Sequence, residues 1–263
     1  RQDYEWCCNI MSSDVLSSLI KIQERLAKRL LKPFYIDYKY VYLATLTPLS
    51  VLTSFIANFT VSFTEVLQAL ITISGLIGTT SLAVYISLSI YFYDKHLELS
   101  KHYYAGLRDI VSTISKSEGI EDSVEKLILL DKIGVEYSPV VLIPAYIALL
   151  VLPDILLYTV LLMIFSAITG LVVFTLYRSY VEHLDVENTI EDKLFKILNI
   201  SNRRVFTSIG CSVFKILVSA ATFSLYTMYD LHRFYKLMNE HLSMHRFNYL
   251  EIKKVFVKTY SIQ

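Results

Sequence analysis

The chain has 263 residues, 54% of them hydrophobic and 19% charged, with a net charge of +1 and a mean hydropathy of +0.47. Soluble domains usually carry about 25% charged residues, so this balance points to a bilayer rather than to a large soluble core. The near-zero net charge provides no global field to gather nucleic acid, and Cys7, Cys8 and Cys211 offer neither a disulfide framework nor a CxxC or zinc spacing.

Residues 1–36 contain a basic amphipathic helix, SDVLSSLIKIQERLAKRLLK at 13–32. Val15, Leu19, Ile22, Leu26 and Leu30 recur every three or four residues along one face, and Lys21, Arg25, Lys28, Arg29 and Lys32 make the remainder cationic. Pro33 ends it. Such a helix suits an anionic leaflet surface or a partner helix. Residues 37–93 read as a first transmembrane hairpin. Its arms, 41–62 and 67–92, carry no charge, and each can cross about 30 Å of hydrocarbon. Glu65 lies in the turn between them.

Residues 94–137 are polar and predict a cytoplasmic helical hairpin. Leu97, Leu107, Ile110, Val111 and Ile114 form its apolar face, Gly119 breaks the run, and a second helix covers 121–133 before Gly134. Residues 138–180 predict a second transmembrane hairpin, with spans over 138–152 and 155–177 and the turn Pro153-Asp154 between them. A cytoplasmic amphipathic segment follows at 181–204. Residues 205–229 form a fifth apolar helix, spanning or re-entrant, whose one charge is Lys215, and a basic amphipathic tail occupies 230–263. The expected fold is all-α: a polytopic helical integral membrane protein with two hairpins (four spans), a fifth apolar helix and amphipathic helices outside the bilayer. The Lys/Arg cluster near the start places the N-terminus in the cytoplasm of a plasma-membrane protein. A fifth crossing would carry the basic tail outside, against that rule.

Tyr-x-x-His occurs three times, as Tyr93…His96, Tyr180…His183 and Tyr229…His232, each time just after an apolar run. Tyrosine prefers the membrane interface. These six residues therefore read as interfacial anchors, with the histidines one turn further into water. Asn58 and Asn199 fit the glycosylation pattern. Gly75 and Gly78 sit in an apolar run, where a phosphate cradle has no place.

Signals for chemistry are sparse. His241 and His245 lie four apart, at metal-ligand reach on one helix face, but two ligands alone do not make a site, and no cofactor is predicted. Lys215 is an intramembrane charge, which defaults to a functional hypothesis or to a snorkelling side chain. Glu65 and Asp154 read as acidic hairpin tips. The expected function is a non-catalytic membrane subunit, a platform or conduit whose partners are the bilayer and other membrane or cytoplasmic subunits, in a homo- or hetero-oligomer. The order of basic helix, hairpin, cytoplasmic helices and second hairpin is similar, in arrangement only, to the platform proteins of type IV pilus and type II secretion machines. The Gly-punctuated helices of those proteins are missing here. Two alternatives stand beside this: an oligomeric ion or small-solute channel lined by Thr72, Ser74, Thr79, Thr80 and Ser81, and a membrane enzyme with a metal at His241 and His245.

Overall fold

A computed structural model describes residues 18, 20–33, 39–60, 65–114, 119–134, 155–206 and 212–260. Among these, all regular structure is helical. The helices are α1 (20–30), α2 (Lys39–Ala44), α3 (Leu46–Thr60), α4 (Glu65–Ile114), α5 (Glu121–Leu129), α6 (Ile155–Ile197), α7 (Phe214–Ala221) and α8 (Leu225–Tyr260). Predicted span 138–152, Asp154, and all three cysteines fall outside the described residues.

Two helices, α4 and α6, contain stretches long and apolar enough to cross a membrane. Both run far beyond what a bilayer needs. With 50 residues at about 1.5 Å each, α4 is about 75 Å long, more than twice the hydrocarbon thickness. Neither the predicted boundary at residue 93 nor that at residue 180 breaks the chain. The expected separate domains at 94–137 and 181–204 are, up to Ile114 and Ile197, the polar halves of these same rods. No glycine or proline interrupts either helix where its character changes from apolar to polar, so the local propensity carries the helix through.

The apolar halves expose large hydrophobic side chains: Val66, Leu70 and Ile73 on α4, Leu157, Val160, Met163 and Ile164 on α6, and Leu49, Leu52 and Ile56 on α3. The polar halves bury theirs. Leu97, Leu107, Ile110 and Val111 are all buried, as the pattern predicts, and α5 closes the hairpin between Gly119 (φ 111°) and Gly134 (φ 81°), two left-handed positions that favour glycine. The Asp94 carboxylate accepts the backbone N–H groups of Ile133 and Gly134, both at 2.9 Å, and so ties the irregular segment after α5 to α4.

The predicted first span is two helices. Pro48 has no N–H to give the Ala44 carbonyl, so α2 stops there and α3 starts afresh at Leu46. This junction presses on Gly78, where an added Cβ would lie 2.4 Å from the Thr47 nitrogen. Along α1 the buried face is Gln23, Ala27 and Leu30, while Ile22 is exposed, so the helix is rotated from the face expected. The cause is polar: the Gln23 carboxamide sits against Gly106 and donates to the Tyr103 carbonyl at 3.0 Å, and Glu24 pairs with Lys253 at 2.9 Å.

Among the described residues, the expected fifth apolar helix at 205–229 is not continuous. Residues 200–206 are irregular, α7 is only 8 residues long, and the chain turns back over 222–224 to begin α8. Phe223 (φ 48°) and Ser224 (φ 71°) make that turn in the left-handed region, which strains a bulky residue. Its backbone is satisfied locally, by Ser224 N–H to the Ser219 carbonyl (3.0 Å) and Leu225 N–H to Thr222 (3.1 Å). The Ser224 hydroxyl also bonds Ser166 at 2.9 Å beside buried Thr169 and Thr227. Helix α7 lies close against α6 at Gly170, where a Cβ would meet Ser219 Cβ at 2.8 Å. From the turn, α8 runs out along the polar halves of α4 and α6.

Candidate metal centre

Three helices converge where their apolar halves give way to polar ones. Helix α4 brings His96 and, two turns on, Tyr104. Helix α6 brings His183, Glu187 and Glu191, spaced by four so that all three lie along one stripe. Helix α8 brings His241 and His245 by the same rule, and Asn248 three residues further on. Every one of these residues is buried, His96, His183, Glu187 and Asn248 completely.

Four donor groups meet at one point. His96 Nε2 lies 3.0 Å from His241 Nε2. Glu187 Oε2 lies 3.1 Å from His241 Nε2 and 3.0 Å from His245 Nε2. All four ligand atoms fall within 4.8 Å of one another. A tetrahedral ion with bonds of about 2.0–2.1 Å keeps its donors roughly 3.3 Å apart, so the cluster is sized for one. His183 stands beside them with Nε2 3.1 Å from the other carboxylate oxygen, Glu187 Oε1.

Behind these donors is a supporting layer. His245 turns Nδ1 toward Glu191 Oε1 at 3.4 Å, and Glu191 is held by the Tyr104 hydroxyl, donating at 2.8 Å, and by Asn248 Nδ2 at 2.5 Å. A carboxylate behind a ligating imidazole fixes its tautomer and orientation. Burial pushes the His241 imidazole down to about 3. Burial works against a charge on His245 too, but Glu187 and Glu191 outweigh it and carry that imidazole up to about 10.

As a polar core this arrangement is incompletely satisfied: His241 Nδ1 and His183 Nδ1 have no hydrogen-bond partner among the described residues, and Glu187 Oε1 faces only His183 Nε2, at 3.1 Å and poorly aligned. Three imidazole nitrogens and one carboxylate oxygen suit a borderline divalent ion such as Zn²⁺ or Fe²⁺. They are too nitrogen-rich for Ca²⁺ or Mg²⁺ and contain no thiolate to favour Cu⁺.

No family model matches the chain, and neither does any curated protein or solved structure. The residues themselves therefore carry the functional reading. His241 and His245, expected as a bare pair, are joined by His96 from α4 and Glu187 from α6. His96 and His183, expected as anchors in water, are the most buried histidines of the cluster, with Tyr93 and Tyr180 buried beside them. Tyr93 donates to the Ser179 carbonyl at 2.9 Å, and Tyr180 packs edge-on against His241. In the third repeat Tyr229 and His232 are exposed. Helix phase separates the three, since only the first two repeats lie on stripes that face a neighbouring helix. Glu187 and Glu191 went unnoticed in the sequence. The available signal was a run of polar residues at spacings of three and four inside an otherwise apolar stripe, Tyr180, His183, Leu184, Glu187, Glu191 and Leu194.

Lys215 does not snorkel into open water. Its ammonium pairs with both oxygens of buried Asp230, at 3.2 and 3.1 Å, and rests 4.3 Å from the Tyr177 ring centroid. Glu65 is the first residue of α4, away from the cluster.

Proposed function

We propose that this chain is a non-catalytic integral membrane protein whose polar helical bundle is tied together by one borderline divalent ion, held by His96, Glu187, His241 and His245. The observation that carries this reading is the convergence of four buried donor atoms from three helices on one point. The ion would supply the positive charge that Glu187 needs and would cross-link α4, α6 and α8, as structural zinc sites do. A structural role is supported by the enclosure of the ligands. The cavity beside them, lined by Tyr180, Phe206, His241 and Met244 among others, is about 10 Å³, room for at most one water and for no substrate.

The remainder of the proposal places the chain in the plasma membrane. The lipid-facing layer comprises α2–α3, the apolar halves of α4 and α6, and a re-entrant loop made by α7 and the start of α8. The re-entrant path resolves the topological conflict in the sequence, because it keeps the basic end of α8 on the same side as the polar halves of α4 and α6. The positive-inside rule puts that side in the cytoplasm. There the ion-tied bundle, with the cationic edge of α1 (Lys21, Arg25, Lys28 and Arg29) exposed, acts as a docking platform for other subunits.

The test is elemental analysis of the full chain purified in mild detergent without chelators. Zinc or iron at about one ion per chain, lost in His241→Ala/His245→Ala, supports the reading. A chain that carries no transition metal, and whose melting temperature does not move on adding Zn²⁺, refutes it.

A further inference from the structure

The segment just after α6, 200–206, is irregular and crosses from α6 to α8 over the cluster. Two asparagines hold it, each gripping both the N–H and the C=O of one strap residue. Asn188 Oδ1 accepts the Phe206 N–H at 3.1 Å, and Asn188 Nδ2 donates to the Phe206 carbonyl at 3.2 Å. Asn248 Oδ1 accepts the Arg204 N–H at 3.1 Å, and its Nδ2 donates to the Arg204 carbonyl at 3.0 Å. Arg203 adds a third fastening, reaching the Asn188 carbonyl at 2.6 Å and Asp192 at 3.1 Å. With alternate residues gripped in this way, the side chain of Phe206 is directed inward. Its ring centroid lies 4.3 Å from that of His241 and 4.7 Å from that of His245.

We infer that Phe206 is the positioning residue that closes the coordination sphere of the proposed metal centre, a seal that denies the ion an external ligand and slows its exchange. This rests on the metal reading above. The gap between α6 and α8 lies opposite α4, which contributes His96, so the strap covers the side that the three ligand-bearing helices leave open. An open position on zinc or iron takes water and enables hydrolytic or redox chemistry. An apolar ring packed on two of the ligands removes that position and makes the ion structural. Asn248 links seal and centre physically, since the same amide nitrogen that holds the strap also donates to Glu191, the support of His245.

The full chain in detergent, loaded with Co²⁺ alone, provides the test, because the visible spectrum of Co²⁺ reports its coordination. Azide is expected to leave the spectrum of the natural chain unchanged, and to shift that of Phe206→Ala and of Asn188→Ala, which loosens the strap without touching a ligand. Loss of Co²⁺ to EDTA is expected to be about tenfold or more faster in both variants, with Phe206→Leu, which keeps an apolar plug, near the natural rate. An azide shift in the natural chain, or equal loss rates in all four proteins, overturns the seal while leaving the metal centre standing. Failure of the natural chain to bind Co²⁺ at all overturns the metal centre itself, and the seal with it.

Discussion

At the scale of single residues, the molecule contains two buried arrangements of charge with different logic. Lys215 and Asp230 neutralise one another inside the protein, side-chain exposure being 12% and 3%. Removing one partner leaves an uncompensated buried charge, which costs about 3–5 kcal/mol. Lys215→Met is therefore expected to lower the unfolding midpoint by more than Lys215→Met/Asp230→Asn does, and a thermal melt of the two variants checks it. Glu187, by contrast, faces three imidazoles that also need a partner. Glu187→Gln keeps the shape but loses the charge, and its bound transition metal is expected to fall to background in elemental analysis, while exposed Glu182→Gln retains it. These residues also mark where sequence reasoning stopped. The His241–His245 pair was legible because four residues make one helical turn. Its partners on α4 and α6 were not, because 145 and 58 positions separate His241 from His96 and His245 from Glu187, and no local period encodes which stripes will face each other.

At the scale of elements, hydrophobic patterning located the helices well but not their ends. Residue 93 and residue 180 are changes of environment, and a helix registers only propensity and hydrogen bonding, so α4 and α6 continue through both. The reverse error concerns 205–229, apolar but for Lys215 yet broken, because the turn at 222–224 supplies its own hydrogen bonds and a hydroxyl partner on α6. Two glycines set the spacing of the layer. Gly170→Leu would drive a side chain into Ser219, prising α7 from α6 at a cost of about 1–3 kcal/mol for overpacking. The expected outcome is faster protease cleavage within 212–224 than in the natural chain, measured by limited proteolysis in detergent.

At the scale of the whole molecule, the hairpin path of α7 and α8 gathers the polar ends on one side. In proteoliposomes, with Cys7, Cys8 and Cys211 replaced by serine, single cysteines at Lys126 and Lys254 are expected to react with an impermeant maleimide from the same face, and a cysteine at Glu65 from the opposite one. Labelling of Lys126 and Lys254 from different faces would contradict the re-entrant path. The unbroken passage of α4 and α6 from the apolar layer into the bundle has a mechanical consequence. With the proposed ion bound, the centre would clamp both rods, together with α8, close to where they leave the apolar layer, with long stiff arms on either side. A sideways push on the outer arms would then work against a fixed fulcrum, so the apolar arms would swing the other way. Withdrawing the proposed ion would remove the pivot, and the same push would be absorbed locally as bending.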